Sequence, residues 1–490
     1  MPHQVSQIFL KACSRVLSLT AMVSPTLPSS YDSIEDYTAH LCHFLDTPLV
    51  RQITGGIHVN DALLRNGWQA LPQEWTDWWS SWPRHRLAQQ DLIDGIDEGL
   101  DPASCRFSKQ AQPAESRPAS LTDWLARLKS LALPRSRRPG PTLALPEALT
   151  AHMKPKKVSE VSAAAAYIHN VCQRRGITRI VDMGSGQGYL SISLAYLFPY
   201  LRCLAMDGSE TQVAASRSAA AALGIPETRL KQVVHWVDGS RDLAFLVEDW
   251  AEGERCMLVG LHACGSLSEH MARYFATVSC IDALAVVGCC YNHIVPRSPA
   301  SPAGFPISSA LRERNVSLSA TALMTACQAP NNWTRPSPEC VAAGDSMFSK
   351  RRLYRSILEK LLHDKGIKVN NVGDEKRPRW GIRKQDMATF IKYARRSMDC
   401  TDVAHETITD AELMAYEERY SDCEGQIAIL WTLGVLCSKV VESLIAMDRY
   451  CYLQEQGAEG VDVVPIFDFK VSPRNLMVVA EKAQAAGCNH

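Results

Sequence analysis

The stretch Ile180–Phe198, IVDMGSGQGYLSISLAYLF, combines a short apolar run, a turn with three glycines and a second apolar run with helical spacing. Asp182 lies at the end of the first run, and the glycines are Gly184, Gly186 and Gly188. Glycine lets a backbone take positive φ and pass close to a ligand. The stretch therefore predicts a strand, a tight turn and a helix, with a small molecule held at the turn.

A dinucleotide-binding fingerprint does not fit this turn, because its third glycine would fall at position 189, which is Tyr189. The turn instead resembles the nucleoside-binding turn of class I S-adenosylmethionine-dependent methyltransferases. The resemblance implies S-adenosylmethionine as the cofactor, held by the turn residues. An acid before the turn would meet the ammonium group of the cofactor, directly or through water. We assign this binding site to Asp182, Gly184, Ser185, Gly186, Gly188 and Tyr189.

Two further acids follow along the chain. Asp207 ends the next apolar run, where folds of this class place the carboxylate that accepts the ribose hydroxyls, and we add it to the cofactor site. Asp238, in VHWVDGS, follows another apolar run and would reach the adenine amino group. The alternative for Asp238 is a turn aspartate before glycine.

Short apolar runs alternate with helical patterns around this turn: RIVDMG, LRCLAMD, CMLVGLH and ALAVVGCC. Such alternation favours an α/β fold with a parallel sheet covered on both faces. With the resemblance, it implies a class I methyltransferase (Rossmann-like) seven-stranded sheet. We expect a helical N-terminal lobe and linker over 1–140, the cofactor-binding core over 150–295, an inserted lobe over 296–425, and a helix and closing hairpin over 426–490.

The composition of the chain excludes any global attraction to nucleic acid or membrane. It has 46% hydrophobic and 21% charged residues and a formal net charge of zero, so attraction to a charged partner must be local. The longest apolar run, Ile427–Cys437, is about half of the roughly 20 residues that span a bilayer. We expect a buried helix there and no membrane partner.

Cysteine usage bears on the compartment. The 17 cysteines show no disulfide-like framework, which favours a reducing environment. We expect a cytoplasmic protein, with the nucleus as the alternative. Only Lys11 and Arg15 precede the first acid, Asp32, which gives a mitochondrial destination less support.

Six other motifs lie outside the glycine turn: MKPKKVSEV (153–161), GLHACGSL (260–267), VGCCYNHI (287–294), TACQAPNNW (325–333), AMDRYCYLQEQG (446–457) and VPIFDFKVSPRNL (464–476). Together they resemble the methyltransferase-like protein 25 family, across roughly residues 30–485. Ser159 departs from the pattern, which leads us to expect histidine there. The resemblance implies that the Pro-Lys-Lys motif forms a floor or lid of the cofactor pocket, so we add Lys157 to the cofactor site. Glu160 lies about one helical turn from Lys157 and is its expected partner.

The motifs after the fourth and fifth strands carry the candidate catalytic residues His262, Cys264, Tyr291 and Asn292. Methyl transfer from a sulfonium is an in-line displacement, so the enzyme chiefly aligns the acceptor and removes its proton. His262 is the candidate base, and its alternative is a histidine bonded into the strand-end turn. These residues and Cys289, Cys290 and His293 offer enough donors for zinc, but they lack CxxC spacing, so we expect no metal.

The same two motifs resemble, more distantly, those of tRNA 2′-O-methyltransferases that act on the acceptor stem. Between Lys350 and Arg396 there are fifteen basic and five acidic residues, a formal excess of ten positive charges. Tyr354, Trp380 and Tyr393 are interleaved there and would offer faces for base stacking. The alternative is a helical face that pairs with the acidic residues that follow. We therefore predict a methyltransferase for a macromolecule, RNA slightly favoured over protein; the rival is a catalytically degenerate fold used as a scaffold.

Overall fold

The computed structural model describes residues 25–56, 61–96, 116–329, 347–367, 384–399 and 403–483. Its centre is a sheet of seven strands: β1 Arg179–Met183, β2 Arg202–Asp207, β3 Leu230–Val234, β4 Cys256–Cys264, β5 Ile281–Cys289, β6 Gly460–Pro465 and β7 Leu476–Glu481. Their spatial order is β3-β2-β1-β4-β5-β7-β6. The first five strands are parallel, and β7 runs antiparallel to both β5 and β6. The four predicted core strands and the closing hairpin are confirmed.

Seven helices precede β1 in the described chain: α1 Ile34–Asp46, α2 Pro48–Arg51, α3 Gln73–Ser80, α4 His85–Asp94, α5 Ala119–Leu131, α6 Glu147–Thr150 and α7 Pro155–Arg175. Helix α7 begins with proline at its first position, where the missing N–H costs nothing. It ends at Gly176, whose φ of 63° forms a left-handed cap.

Helices connect the parallel strands: α8 Tyr189–Leu197, α9 Glu210–Ala222, α10 Arg241–Ala251 and α11 Leu267–Thr277. Between β5 and β6 come α12 Ser309–Glu313, α13 Ala320–Ala326, α14 Met347–Asp364, α15 Phe390–Met398, α16 Asp410–Tyr420, α17 Glu424–Leu436 and α18 Ser438–Glu455. Parallel strands need such crossovers, which cover both faces of the sheet.

The two faces of the sheet bury separate cores. Ile180 and Val181 are neighbours in β1 and pack in different clusters, as side chains that alternate along a strand must. One cluster joins a sheet face to α7 and α8. The other joins the opposite face to α18 and the N-terminal helices, and it includes four buried tryptophans, Trp75, Trp78, Trp79 and Trp82. The N-terminal helices thus stabilise the sheet directly.

A third cluster lies apart from the sheet and joins α14, α15 and α16 with one end of α17. The stretch Asp410–Glu455, which contains α17, is long and apolar enough to cross a membrane by length and composition. However, 78% of its most apolar window is buried inside the protein. The prediction that Ile427–Cys437 forms a buried helix is therefore confirmed.

Candidate active site

The glycine turn after β1 is fastened to the end of β2. The backbone N–H groups of Gly184 and Ser185 both donate to the carbonyl of Met206, at 2.9 and 3.0 Å. Gly184, Gly186 and Gly188 have φ angles of 73°, 55° and 73°, a conformation that favours glycine. The turn is therefore rigid and cannot accept ordinary residues at these three positions.

The surroundings of the three glycines differ. A Cβ atom at Gly188 would lie 2.1 Å from Ser216 Oγ, and one at Gly184 would lie 2.8 Å from Leu267 Cδ2. At Gly186 a Cβ would meet nothing within 4 Å. The outer two glycines thus let the chain pack closely, and the middle one faces the open space in which a ligand can lie.

Asp207 and the turn are brought together as the sequence predicts. Its Oδ2 accepts a hydrogen bond from the N–H of Gly186 at 2.9 Å, and its Oδ1 accepts one from the N–H of Ser209 at 2.9 Å. The carboxylate therefore lies at the edge of the open space beside Gly186. Two backbone donors hold it there in a fixed orientation.

Asp182 lies beneath the turn. Only 2% of this residue is exposed, and its carboxylate accepts a hydrogen bond from the hydroxyl of Ser191. Burial raises the pKa of Asp182 to about 6, although the Ser191 hydrogen bond opposes that rise. The carboxylate is thus buried and fastens α8 to β1, and its predicted contact with the ammonium group of the cofactor, directly or through water, stays a prediction.

Asp238 takes the turn position that the sequence left as its alternative. Its side chain is exposed, and its Oδ1 accepts from the N–H of Ser240 at 2.9 Å. Sequence reasoning missed Trp236, two residues earlier. This residue is 75% exposed, and its ring lies so close to Gly208 that a Cβ there would come within 2.4 Å of it. A flat apolar surface therefore lies directly after Asp207.

A buried carboxylate links the Pro-Lys-Lys motif to β4. Glu160 Oε2 lies 2.8 Å from Lys157 Nζ and 3.1 Å from His262 Nε2, and its Oε1 accepts from the hydroxyl of Ser472 at 2.7 Å. The predicted pair of Lys157 and Glu160 is confirmed. Burial raises the pKa of Glu160, but the hydrogen bonds from His262 and Lys157 outweigh it and hold the pKa at about 2. Glu160 is therefore ionised at neutral pH.

The hydrogen bond to Glu160 decides which ring nitrogen of the candidate base, His262, carries the proton. An ionised Glu160 accepts a hydrogen bond, so Nε2 of His262 carries the proton in the bond between them. In the neutral ring the lone pair then lies on Nδ1. With 32% of its side chain exposed, His262 can present that atom to a substrate. The sequence marked both residues, and their contact requires the fold because 102 positions separate them.

Three cysteines meet where β4 and β5 end. The sulfur atoms of Cys264 and Cys289 are 3.3 Å apart, and those of Cys264, Cys289 and Cys290 all lie within 4.8 Å of one another. The hydrogen bond with Cys289 lowers the pKa of Cys264 to about 6, although burial opposes this shift. Cys264 is thus the most acidic thiol of the three.

Tyr291 and Asn292 are adjacent in the sequence but differ in their exposure to solvent. Tyr291 is 4% exposed, and its hydroxyl donates to Glu442 Oε1 at 2.8 Å, so the hydroxyl is engaged inside the protein and its predicted catalytic role stays a prediction. Asn292 is exposed, and its N–H donates to the sulfur of Cys327 at 3.4 Å. Asn292 therefore stays a candidate at the rim of the site.

A buried ion cluster supports Tyr291, and sequence reasoning missed it. Glu442 in α18 lies 2.7 Å from Arg135 and 2.9 Å from Arg474, and all three are buried or nearly so. Their positions in sequence are too far apart for any local pattern to reveal the cluster. The cluster joins the segment before α6, the long helix α18 and the loop between β6 and β7. It lies beneath residues 289–293, which we call the cysteine loop.

Five basic residues in the described part of the basic segment pair with acids. Tyr354 and Tyr393 are 3% and 2% exposed, so the prediction that they stack on bases is wrong; they belong to the third core cluster. Basic side chains pair with acids on α14, α15 and α16, as in Arg355–Glu359, Lys360–Asp364, Lys365–Glu412, Arg395–Asp410 and Arg396–Asp399. Residues 368–383, which include Arg377, Arg379, Arg383 and Trp380, lie outside the described residues.

The strand order, with the glycine turn after β1 and an acid ending β2, defines a class I methyltransferase domain of the α/β class. A family model described as "Methyltransferase domain" matches residues 156–297, which include the turn, His262 and the cysteine loop. The predicted fold class is confirmed, and S-adenosylmethionine is the cofactor of such a domain.

Curated relatives bear the name "Probable methyltransferase-like protein 25". The mouse (Mus musculus) protein is 28% identical over 267 residues, which are 51% of this chain and 40% of that protein. The human (Homo sapiens) protein is 29% identical over 249 residues, 47% of this chain and 38% of that protein. The chain is similar to these methyltransferase-like protein 25 sequences, as the motifs indicated, and its match spans about two fifths of their own length.

Solved structures with a similar fold are remote in sequence. Coclaurine N-methyltransferase, bound to N-methylheliamine and SAH, is 11% identical with a TM-score of 0.23, covering 91% of this chain and 100% of that chain. The plantazolicin methyltransferase BamL, in complex with a triazolic desmethylPZN analog and SAH, is 11% identical with a TM-score of 0.22, covering 54% and 84%. The fold assignment rests on the strand order and the family model and not on these two likenesses.

Proposed function

We propose that this chain transfers the methyl group of S-adenosylmethionine to a macromolecular acceptor, with RNA favoured over protein. The observation that carries the proposal is that the candidate site residues lie at one common edge of the sheet. There the glycine turn and Asp207 face the same end of the strands as the His262–Glu160 pair. Ligands of open α/β folds bind at this edge.

The residues present fit the cofactor. The open space beside Gly186 would receive it, Asp207 would accept the ribose hydroxyls, and the ring of Trp236 would cover an apolar face of the nucleoside. When bound, S-adenosylmethionine supplies an activated methyl group. Lys157, which pairs with Glu160, would contribute the Pro-Lys-Lys motif to the floor of the same space.

His262 acts as the base in this proposal. Glu160 accepts its Nε2–H and fixes the ring, which leaves Nδ1 to take the proton of a hydroxyl or amine acceptor. A carboxylate that orients a histidine in this way stabilises the charge that the ring gains when it takes a proton. Asn292, exposed on the next loop, is placed to contact the acceptor.

Two features support RNA as the acceptor. The motifs around His262 and Cys289 resemble those of tRNA 2′-O-methyltransferases, and the segment Lys350–Arg396 carries a formal excess of ten positive charges. Since five of the described basic residues pair with acids, we propose that RNA is bound mainly through basic residues outside the described part of the segment, among them Arg377, Arg379 and Arg383. Such binding is local and needs no net charge on the whole protein.

The test uses S-adenosylmethionine with an isotopically labelled methyl group and an extract separated into RNA and protein. We expect label in RNA and a loss of 10²- to 10⁴-fold with His262→Ala, the usual range for a general base. His363→Ala is the matched control, because this histidine is exposed on α14, away from the sheet. If the label is found only in protein, the acceptor is protein and not RNA.

Two other results would change the proposal further. If the chain binds S-adenosylmethionine but labels nothing, the fold serves as a scaffold, the rival that the sequence left open. If His262→Ala methylates as fast as the wild type, His262 is not the base.

For RNA binding, reversal of Arg377, Arg379 and Arg383 to glutamate should flatten the fall of affinity with salt. Reversal of Lys360, which already pairs with Asp364, should leave that slope unchanged.

A further inference from the structure

The three thiols beside the candidate base lie in a geometry that ordinary packing does not require. Cys264 and Cys290 are exposed, whereas Cys289 is buried. Their sulfur atoms form a compact triangle, with 3.3 Å between Cys264 and Cys289 and no separation above 4.8 Å. The three thiols therefore converge at one point of the surface.

The backbone holds this triangle in place. Cys264 and Cys289 are direct partners in the parallel pairing of β4 and β5, so their side chains lie on the same face of the sheet. Cys290 has a left-handed φ of 47°, which is uncommon for a residue other than glycine and turns the chain sharply after Cys289. Gly265 follows Cys264, and a Cβ there would lie 2.5 Å from the carbonyl oxygen of His293. The two loops can approach this closely only with glycine at that position.

We propose that Cys264, Cys289 and Cys290 bind one zinc ion as thiolates. In a tetrahedral site with Zn–S bonds of about 2.3 Å, the sulfur atoms are about 3.8 Å apart. The Cys264–Cys289 distance of 3.3 Å is about half an ångström below that value and no separation exceeds 4.8 Å, so shifts of about an ångström or less would bring the three sulfur atoms to it. The sequence pointed away from a metal because its spacing lacks CxxC; the fold supplies Cys264 from the neighbouring strand instead.

The zinc site keeps one coordination position open. Among the residues that the structure describes, no fourth histidine, cysteine or acid joins the group of three. Three protein ligands and an open position are the arrangement of catalytic zinc, in which water or a substrate atom completes the tetrahedron. His262 lies two residues before Cys264, so the ion would lie at the acceptor side of the site.

Metal content tests the proposal without any substrate and independently of methyl transfer. We would purify the full chain from zinc-supplemented cells, with a reductant and without chelators, and measure zinc by mass spectrometry of the elements. We expect one zinc per chain, lost in the double variant Cys264→Ser/Cys290→Ser, whose positions are both exposed. Cys280→Ser is the matched control, because Cys280 forms a pair with Cys256 at the opposite ends of the same two strands.

Cobalt provides a second measurement. After zinc is removed, Co²⁺ should give a sulfur-to-metal charge-transfer band, and Cys290→Ser alone should weaken that band by about one third, since one of three thiolates is lost. Circular dichroism and binding of S-adenosylhomocysteine show whether each variant is folded. A wild type without zinc, or equal zinc in the double variant, overturns the proposal. The freshly purified, zinc-supplemented chain could instead contain a disulfide between Cys264 and Cys289, which a mass measurement detects as the loss of two hydrogens. That result overturns the zinc proposal in favour of a redox pair of cysteines.

Discussion

Replacing Glu160 by glutamine tests the buried network at its centre. Glutamine has nearly the same volume, so packing is kept while the charge is removed. The pKa of Glu160 falls from an ordinary value of 4.5 to about 2 in the folded protein. That difference corresponds to about 3 kcal/mol of net interaction with its ionised form. We therefore expect Glu160→Gln to lower the free energy of unfolding by up to about 3 kcal/mol at pH 7.

The pH dependence of this loss has a definite sign. A carboxyl whose pKa is depressed on folding stabilises the protein above its unfolded pKa, and this contribution is lost as pH falls through the folded pKa. The stability difference between wild type and Glu160→Gln should therefore be complete above about pH 5 and shrink towards pH 2. Below that window the two proteins should unfold alike with respect to this site.

The assay is urea unfolding of both proteins at several pH values, followed by tryptophan fluorescence. Glu147→Gln, at an exposed first-turn position of α6, is the matched control and should change stability little at any pH. A destabilisation by Glu160→Gln that is as large at pH 3 as at pH 7 would refute the electrostatic reasoning. No destabilisation at pH 7 would show that the cost of burying the charge cancels its hydrogen bonds.

Three other substitutions test the remaining parts of the site. Asp207→Ala should weaken binding of S-adenosylhomocysteine at least tenfold, about 1.4 kcal/mol, in a calorimetric titration, and unchanged affinity would remove Asp207 from the cofactor site. Gly188→Ala should lower the melting temperature, because its φ of 73° and the 2.1 Å approach to Ser216 both oppose a Cβ; an unaltered melting curve contradicts this. Tyr291→Phe should cost about 1 kcal/mol of stability from the lost bond to Glu442 while methylation persists, whereas lost methylation with an intact fold would support its predicted catalytic role.

The sequence revealed those parts of the fold and site that depend on local pattern. The apolar runs of β1 and β2, the glycine turn and the acid at position 207 follow one another within a short stretch, and each has a physical requirement that restricts its residue type. The cap at Gly176 was predictable for the same reason, since few residues other than glycine tolerate a φ of 63°. Such features lie close together in the chain, so spacing alone specified their geometry.

Contacts between distant segments could not be read in this way, and they decide what the site residues do. Asp182 and Tyr291 stand at motif positions that suggested contact with reactants, yet each is buried and bonded to a helix, to Ser191 of α8 and to Glu442 of α18. His262 was marked by its motif, but only the fold shows that Glu160 binds its Nε2 and leaves Nδ1 for chemistry. A motif therefore predicted which strand ends carry chemistry, whereas the hydrogen-bond partner of each side chain decided which atom is available to perform it.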